Sequence, residues 1–131
     1  MSRLQAPSLF RRGLSKRRQA EQLGRQAEQE VARLLEQRGF VILAMRLKTL
    51  CGELDVVAAT ADCLVFVEVK ARASVAAAGS ALSARQQQRL WRAAELVLAQ
   101  HPQWARPAMR FDAAWVVPGG IEFVQDIIRL G

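Results

Sequence analysis

Two strand-like runs in the stretch GELDVVAATADCLVFVEVK, Gly52 to Lys70, carry charges where an ordinary buried hairpin would have none. Side chains of a strand alternate between its faces, so Glu53, Asp55 and Val57 are expected on one face of the first run, and Phe66, Glu68 and Lys70 on one face of the second. If Ala61 and Asp62 are the central residues of a tight turn, Thr60 faces Cys63. Equal steps outward then bring Asp55 opposite Glu68, close enough for both carboxylates to touch one ion, with Lys70 beside them. The second arm is apolar on both faces until Glu68, the pattern of a strand covered by helices on both sides. A lone carboxylate there is costly unless it is protonated, paired or bound to metal, whereas Asp, Glu and Lys together can compensate one another.

The flanks supply the covering layers. From about Arg17, Ala20, Leu23, Ala27, Val31, Leu34 and Leu35 recur at helical spacing to about Arg38, with Gly39 as the stop. Glu28 lies on the edge of this apolar face, either reaching into water or pointing along the buried side toward what the helix covers. Phe40 to Met45 reads as a short strand, followed by Arg46, Lys48 and a turn-like connection. Residues 72–83 read as a loop, and a second helix is expected from Ser83 or Ala84. Its inward face is Leu90, Ala93, Ala94, Val97 and Leu98, with Gln86 on the same side, and Arg85, Arg89 and Arg92 form a stripe toward solvent or a phosphate backbone. The pair His101-Pro102 ends it. MRFDAAWVV is a further strand, and IEFVQDIIRL opens as a final one with the option of turning helical. The order α-β-β-β-α-β-β makes an α/β fold with a mixed central sheet flanked by helices.

At 131 residues, the chain is large enough for one core without disulfides or a structural metal. Its two cysteines have no zinc-ligand spacing, no apolar run suggests a membrane span, and the absence of a secretory-type start favours the cytoplasm. Six of the 19 Lys and Arg residues, among them Arg17 and Arg18, precede the first acid, Glu21, leaving 13 cations against 12 anions in the body. Residues 1–16 are expected to form a disordered basic arm and residues 17–131 a single domain. The arm either contacts a polyanion or serves as a solubilising tail.

The spacing D-x12-E-x-K suits the oxygen-seeking cations Mg²⁺ and Mn²⁺, which activate water and neutralise charge growing on a phosphate. Lys70 could position or deprotonate such a water, or stabilise the transition state as a cation. The alternative is a buried ion-pair network joining Glu68 to Lys70 or to Arg72.

GELDVV followed by LVFVEVKAR resembles the active-site motif of the PD-(D/E)XK nuclease superfamily. From about Glu28 onward the chain resembles the YraN family of predicted bacterial endonucleases, distantly similar to archaeal Holliday junction resolvases. The likeness includes Glu28 ahead of Ala32-Arg33-Leu34-Leu35, Gly39, GELD, VFVEVKAR, Gly79, Arg89-Leu90 and Arg110-Phe111-Asp112. It implies a restriction-endonuclease-like fold, with Asp55 and Glu68 as metal ligands, Lys70 as the catalytic lysine and Glu28 as a further catalytic acid. It also implies hydrolysis of DNA, branched DNA included, or an inactive nuclease fold that binds nucleic acid; a resolvase-like enzyme would be a homodimer. Leu54 precedes Asp55 where the motif nominally has proline, Arg46 stands at an expected asparagine and Gln86 at a common lysine. With Lys48 and Arg72, these two residues are the candidate nucleic-acid contacts of the body.

If the arm supplies affinity, deleting residues 1–18 flattens the salt dependence of DNA binding by about one unit of slope per lost phosphate contact. An unchanged slope rejects that role.

Overall fold

The computed structural model describes residues 8–71 and 82–128, with side chains from residue 15 onward. Helix α1 (Ser8–Gln37) is followed by β1 (Val41–Thr49), β2 (Gly52–Ala59) and β3 (Cys63–Ala71). Helix α2 (Ala84–Gln100), a short 3-10 turn (Pro102–Trp104), β4 (Ala108–Val117) and β5 (Gly120–Val124) complete the chain. The strands form one sheet in sequence order, antiparallel except for the parallel pair β3 and β4. Parallel neighbours need a long crossover, which α2 provides.

The sheet separates two apolar layers. Val31 and Leu35 of α1 pack with Val56, Ala58, Val65 and Val67 on one face. On the other face Leu90, Ala93, Ala94 and Val97 of α2 pack with Leu54, Val57, Leu64 and Phe66. Strand β3 is therefore covered on both sides, as its continuous apolar run requires. Helix α2 opens with a capping box in which Ser83 and Gln86 satisfy each other's backbone N–H, and His101 ends it. The turn at Ala61-Asp62 is closed by the Thr60 N–H donating to the Cys63 carbonyl at 2.9 Å. From it the register Val57↔Phe66 and Val56↔Val67 runs outward and stops there, one step short of Asp55 and Glu68.

Four features depart from the sequence reading. Helix α1 begins at Ser8 instead of near Arg17, so its backbone runs through part of the segment expected to be disordered. Periodicity detects only the packed part of a helix: at 30 residues α1 spans ~45 Å, and Leu23, placed on its apolar face, is 65 % exposed. Strand β1 continues through Arg46 and Lys48 to Thr49, where a connection was expected. After β5 the chain does not turn helical at residues 125–128. Those residues lie back on β4, with the Ile127 N–H donating to the Phe111 carbonyl at 2.7 Å and the Asp126 N–H to Asp112 at 3.0 Å.

The fourth departure shapes the site. Strict alternation puts Leu54 and Val57 on opposite faces, yet both belong to the layer beside α2. Ala44 and Leu47 of β1, also three residues apart, pack on that layer too. The alternation of both strands therefore slips at one level of the sheet, where Arg46 of β1 adopts φ +52°. By the β1–β2 register, Met45↔Val56 and Leu47↔Leu54, Arg46 falls opposite Asp55. A non-glycine residue in the left-handed region is uncommon, and asparagine tolerates it better than most residues. The asparagine expected at this position suits that backbone.

Candidate functional site

Because Leu54 faces α2, its neighbour Glu53 faces the α1 side, away from the Val57 face that simple alternation gave it. There it meets Glu28, which is 8 % exposed and comes from the covered stripe of α1. Carboxylate oxygens of Glu28, Glu53 and Asp55 lie within 4.8 Å of one another. Asp55 Oδ2 accepts a hydrogen bond from the Val69 N–H at 2.8 Å, taking the place of a ladder carbonyl just where the paired register stops. Asp55 is thus shared between the trio and the Glu68 carboxylate opposite.

Glu68 is 6 % exposed and held by two cations. Lys70 Nζ lies 3.4 Å from Glu68 Oε2 and Arg89 Nη2 lies 3.1 Å from the same oxygen. Arg89 also donates to the Glu53 carbonyl at 3.4 Å. The helical spacing places it in a stripe facing solvent or a phosphate backbone. Its long side chain instead turns back over Gly52, where a Cβ would come within 2.5 Å of Arg89 Nη1. Gly52 at φ +120° is therefore needed twice, for its backbone conformation and for the space above it.

On the other side, Arg46 reaches Glu28 Oε1 at 3.5 Å and Glu53 Oε1 at 3.8 Å. These are ion-pair distances without a hydrogen bond, and Glu28 Oε1 is buried with no hydrogen-bond partner among the described residues. Burial pushes the Glu28 carboxyl above its ordinary range, and the Arg46 charge opposes that shift. Burial and the Glu68 charge push Asp55 up to about 8.

Of the remaining candidates, Lys48 is exposed on β1 in register with Glu53, and Arg17 and Arg18 lie exposed on α1. Arg72 and the loop at 72–81 with Gly79 lie outside the described residues. Gln86 is held by the helix cap, its Oε1 accepting from the Ser83 N–H at 3.0 Å. It also lines a cavity of about 450 Å³ with Cys51, Arg85, Gln88, Arg89 and Arg92. Asp112 is occupied elsewhere, taking a fork of hydrogen bonds from Arg110 at 2.9–3.1 Å. The motif reasoning passed over Glu53 and Arg89 as functional residues. The signal was present for both: Glu53 is a charge in a covered strand, and Gly52 opens space where an arginine can cross.

An α/β sheet of this order with a carboxylate cluster able to hold a metal ion defines the class of the molecule. The sequence profile described as "Uncharacterised protein family UPF0102" matches residues 27–116, and the chain belongs to that family, the one its motifs resembled under the name YraN. It is 46 % identical over 113 residues to a UPF0102 protein of Acidiphilium cryptum, covering 86 % of this chain and 88 % of the relative. A UPF0102 protein of Azorhizobium caulinodans is 49 % identical over 108 residues, 82 % of each chain. The matched region spans Glu28, Arg46, Glu53, Asp55, Glu68, Lys70 and Arg89. No helix among the described residues is long and apolar enough to cross a membrane.

The raised Asp55 value has a signed consequence for stability. A carboxyl that binds its proton more tightly when folded stabilises the protein most at low pH, and that contribution is lost as pH rises from the unfolded value near 4 through the folded value near 8. With chelator present, the stability of Asp55→Asn relative to wild type should rise by more than about 1 kcal/mol between about pH 5 and pH 9, read from urea unfolding. A difference independent of pH would show that Asp55 is ionised throughout.

Proposed function

We propose that this protein is a metal-dependent nuclease that hydrolyses phosphodiester bonds in DNA. The observation that carries the reading is the convergence of Asp55, which accepts from the Val69 N–H beside Glu68, with Lys70 3.4 Å from Glu68 and with Glu28 delivered from α1. A hard divalent cation fits the residues present. Glu28, Glu53 and Asp55 offer oxygen donors within 4.8 Å, Glu28 Oε1 has no hydrogen-bond donor among the described residues, and the raised Asp55 value is one that a bound cation would lower. Glu68, beside Asp55, is the further carboxylate that the motif assigns to the metal. Mg²⁺ or Mn²⁺ prefers such a set and, when bound, supplies Lewis acidity and positive charge to a scissile phosphate.

The other side chains have definable tasks. Arg89 holds Glu68 in place by donating to its carboxylate while touching the backbone of Glu53, so α2 and the hairpin hold one geometry. Lys70 is about one-quarter exposed; it can orient a water or meet negative charge on the phosphate as a cation. Arg85 and Arg92, lining the cavity with Arg89, give a nucleic-acid backbone a basic approach to an otherwise acidic centre. The resolvase likeness extends the proposal to branched DNA and to a homodimer.

One observation favours a second reading, a nucleic-acid-binding module with an inactive nuclease fold. Lys70 and Arg89 lie on the same Glu68 oxygen, as they would in an internally neutralised ion-pair network.

Incubation with linear duplex, single-stranded and four-way-junction DNA, with and without Mg²⁺ or Mn²⁺, separates the two. The nuclease reading predicts cation-dependent cleavage, lowered at least about 100-fold by Asp55→Asn and by Lys70→Ala. Cleavage by both variants at the wild-type rate contradicts the mechanism, and DNA binding without cleavage of any substrate favours the module.

A further inference from the structure

Arg46 occupies an unusual position for an arginine. Its backbone lies at φ +52° in the middle of β1, and its guanidinium faces two of the three carboxylates that could share a cation. The distances, 3.5 Å to Glu28 Oε1 and 3.8 Å to Glu53 Oε1, exceed those of charge-assisted hydrogen bonds, about 2.7–2.9 Å. Glu28 Oε1 therefore remains buried and without a hydrogen-bond donor among the described residues. The guanidinium neutralises the pocket without filling the coordination of its oxygens. Its side chain is 39 % exposed, against 11 % for that of Glu28, so the arginine can leave toward solvent while the glutamate cannot.

We propose that Arg46 is a resident counter-cation of the Glu28–Glu53–Asp55 site, displaced when a divalent cation binds there and then available to a phosphate of the nucleic acid. The inference rests on the metal-dependent reading above and adds an order to it. An arginine cannot lose its proton in this setting, so relief from a second positive charge must come from movement. A divalent cation among the three carboxylates takes over the charges that hold Arg46 and repels the guanidinium from the same oxygens. A phosphate is the planar, bidentate partner an arginine prefers once released. Cation and nucleic acid then bind with positive coupling, because each removes a cost that the other would otherwise meet.

An arginine exchange of this kind belongs to this chain's own residue. An asparagine at the same backbone position is too short and carries no charge to act as a counter-ion. It is also the natural control, since Arg46→Asn suits the left-handed backbone and should fold. Arg46→Gly shares that tolerance and removes the side chain altogether, excluding any part played by the new amide.

Two measurements on the full chain test the proposal. Calorimetric titration with Mn²⁺ in the absence of DNA should give both variants a roughly three- to tenfold lower Kd than wild type, since the cation no longer displaces a guanidinium. Affinity for a short duplex, measured with and without Ca²⁺ as a cation probe, should show a larger Ca²⁺-dependent gain in wild type than in either variant. Equal Mn²⁺ affinity in wild type and variants, or an equal Ca²⁺-dependent gain, overturns the proposal and leaves the metal site standing. Failure of all three proteins to bind Mn²⁺ overturns the proposal together with the metal-dependent reading beneath it.

Discussion

The site depends on a shared slip in strand alternation at Arg46 and Asp55. In a regular sheet, residues from α1 and residues from α2 are separated by the thickness of the strands and cannot act together. Here β1 and β2 lose their alternation at one level, so Glu53 turns toward Glu28 of α1, while Leu54 keeps company with α2. Asp55 sits at the break and belongs to both sides, within reach of the Glu28–Glu53 pair and bonded to the Val69 N–H of β3. The same level of β3 carries Glu68, which draws Arg89 across from α2. A central strand covered on both faces thereby becomes a polar junction without opening its core: the residues just inward, Val56, Val57, Phe66 and Val67, are all buried.

Charge balance follows from that convergence. Removing several carboxylates from water is costly, and the protein limits the cost in three ways. Glu68 is paired twice, by Lys70 and Arg89. Glu28 and Glu53 share the looser attention of Arg46. Asp55, with no cation paired to it among the described residues, is pushed up to about 8 by burial and the Glu68 charge. The result is a pocket balanced in the absence of a metal ion, with its weakest compensation on the Glu28 side. Perturbed carboxyls and an undonated buried oxygen also accompany structural ion-pair networks, but their meeting with a lysine in a D-x12-E-x-K frame favours chemistry.

Much of this was legible in the sequence where local rules govern. The Ala61-Asp62 turn fixes the hairpin, so the register as far as Val56 and Val67 can be counted from it. The capping residues around Ser83, the apolar face of α2 and the covered character of β3 were equally accessible. Three features were not. The face of Glu53 was misread because period-two alternation carries no sign of a break, and φ +52° at Arg46 leaves no trace in a side chain as tolerant of context as arginine. The sequence places Arg89 in a stripe toward solvent or a phosphate backbone because a helical angle locates a Cα, whereas a long side chain can fold back over a glycine. The start of α1 is not announced by the sequence because residues 15–26 are exposed, and exposed helix lacks the apolar period that marks a packed one.

Membership of UPF0102 places the site within a family and leaves the chemistry to be decided by its residues. The account's central claim is that the strand break makes Glu53, a residue outside the D-x12-E-x-K frame, a partner of Glu28 and Asp55 in holding one divalent cation. The most direct measurement is the Mn²⁺ affinity of Glu53→Gln, by calorimetry or by electron paramagnetic resonance of the free ion, compared with wild type at one pH. Loss of a ligand predicts affinity lower by about tenfold or more, with unchanged folding by circular dichroism. Mn²⁺ binding at wild-type affinity in a folded Glu53→Gln protein would contradict it.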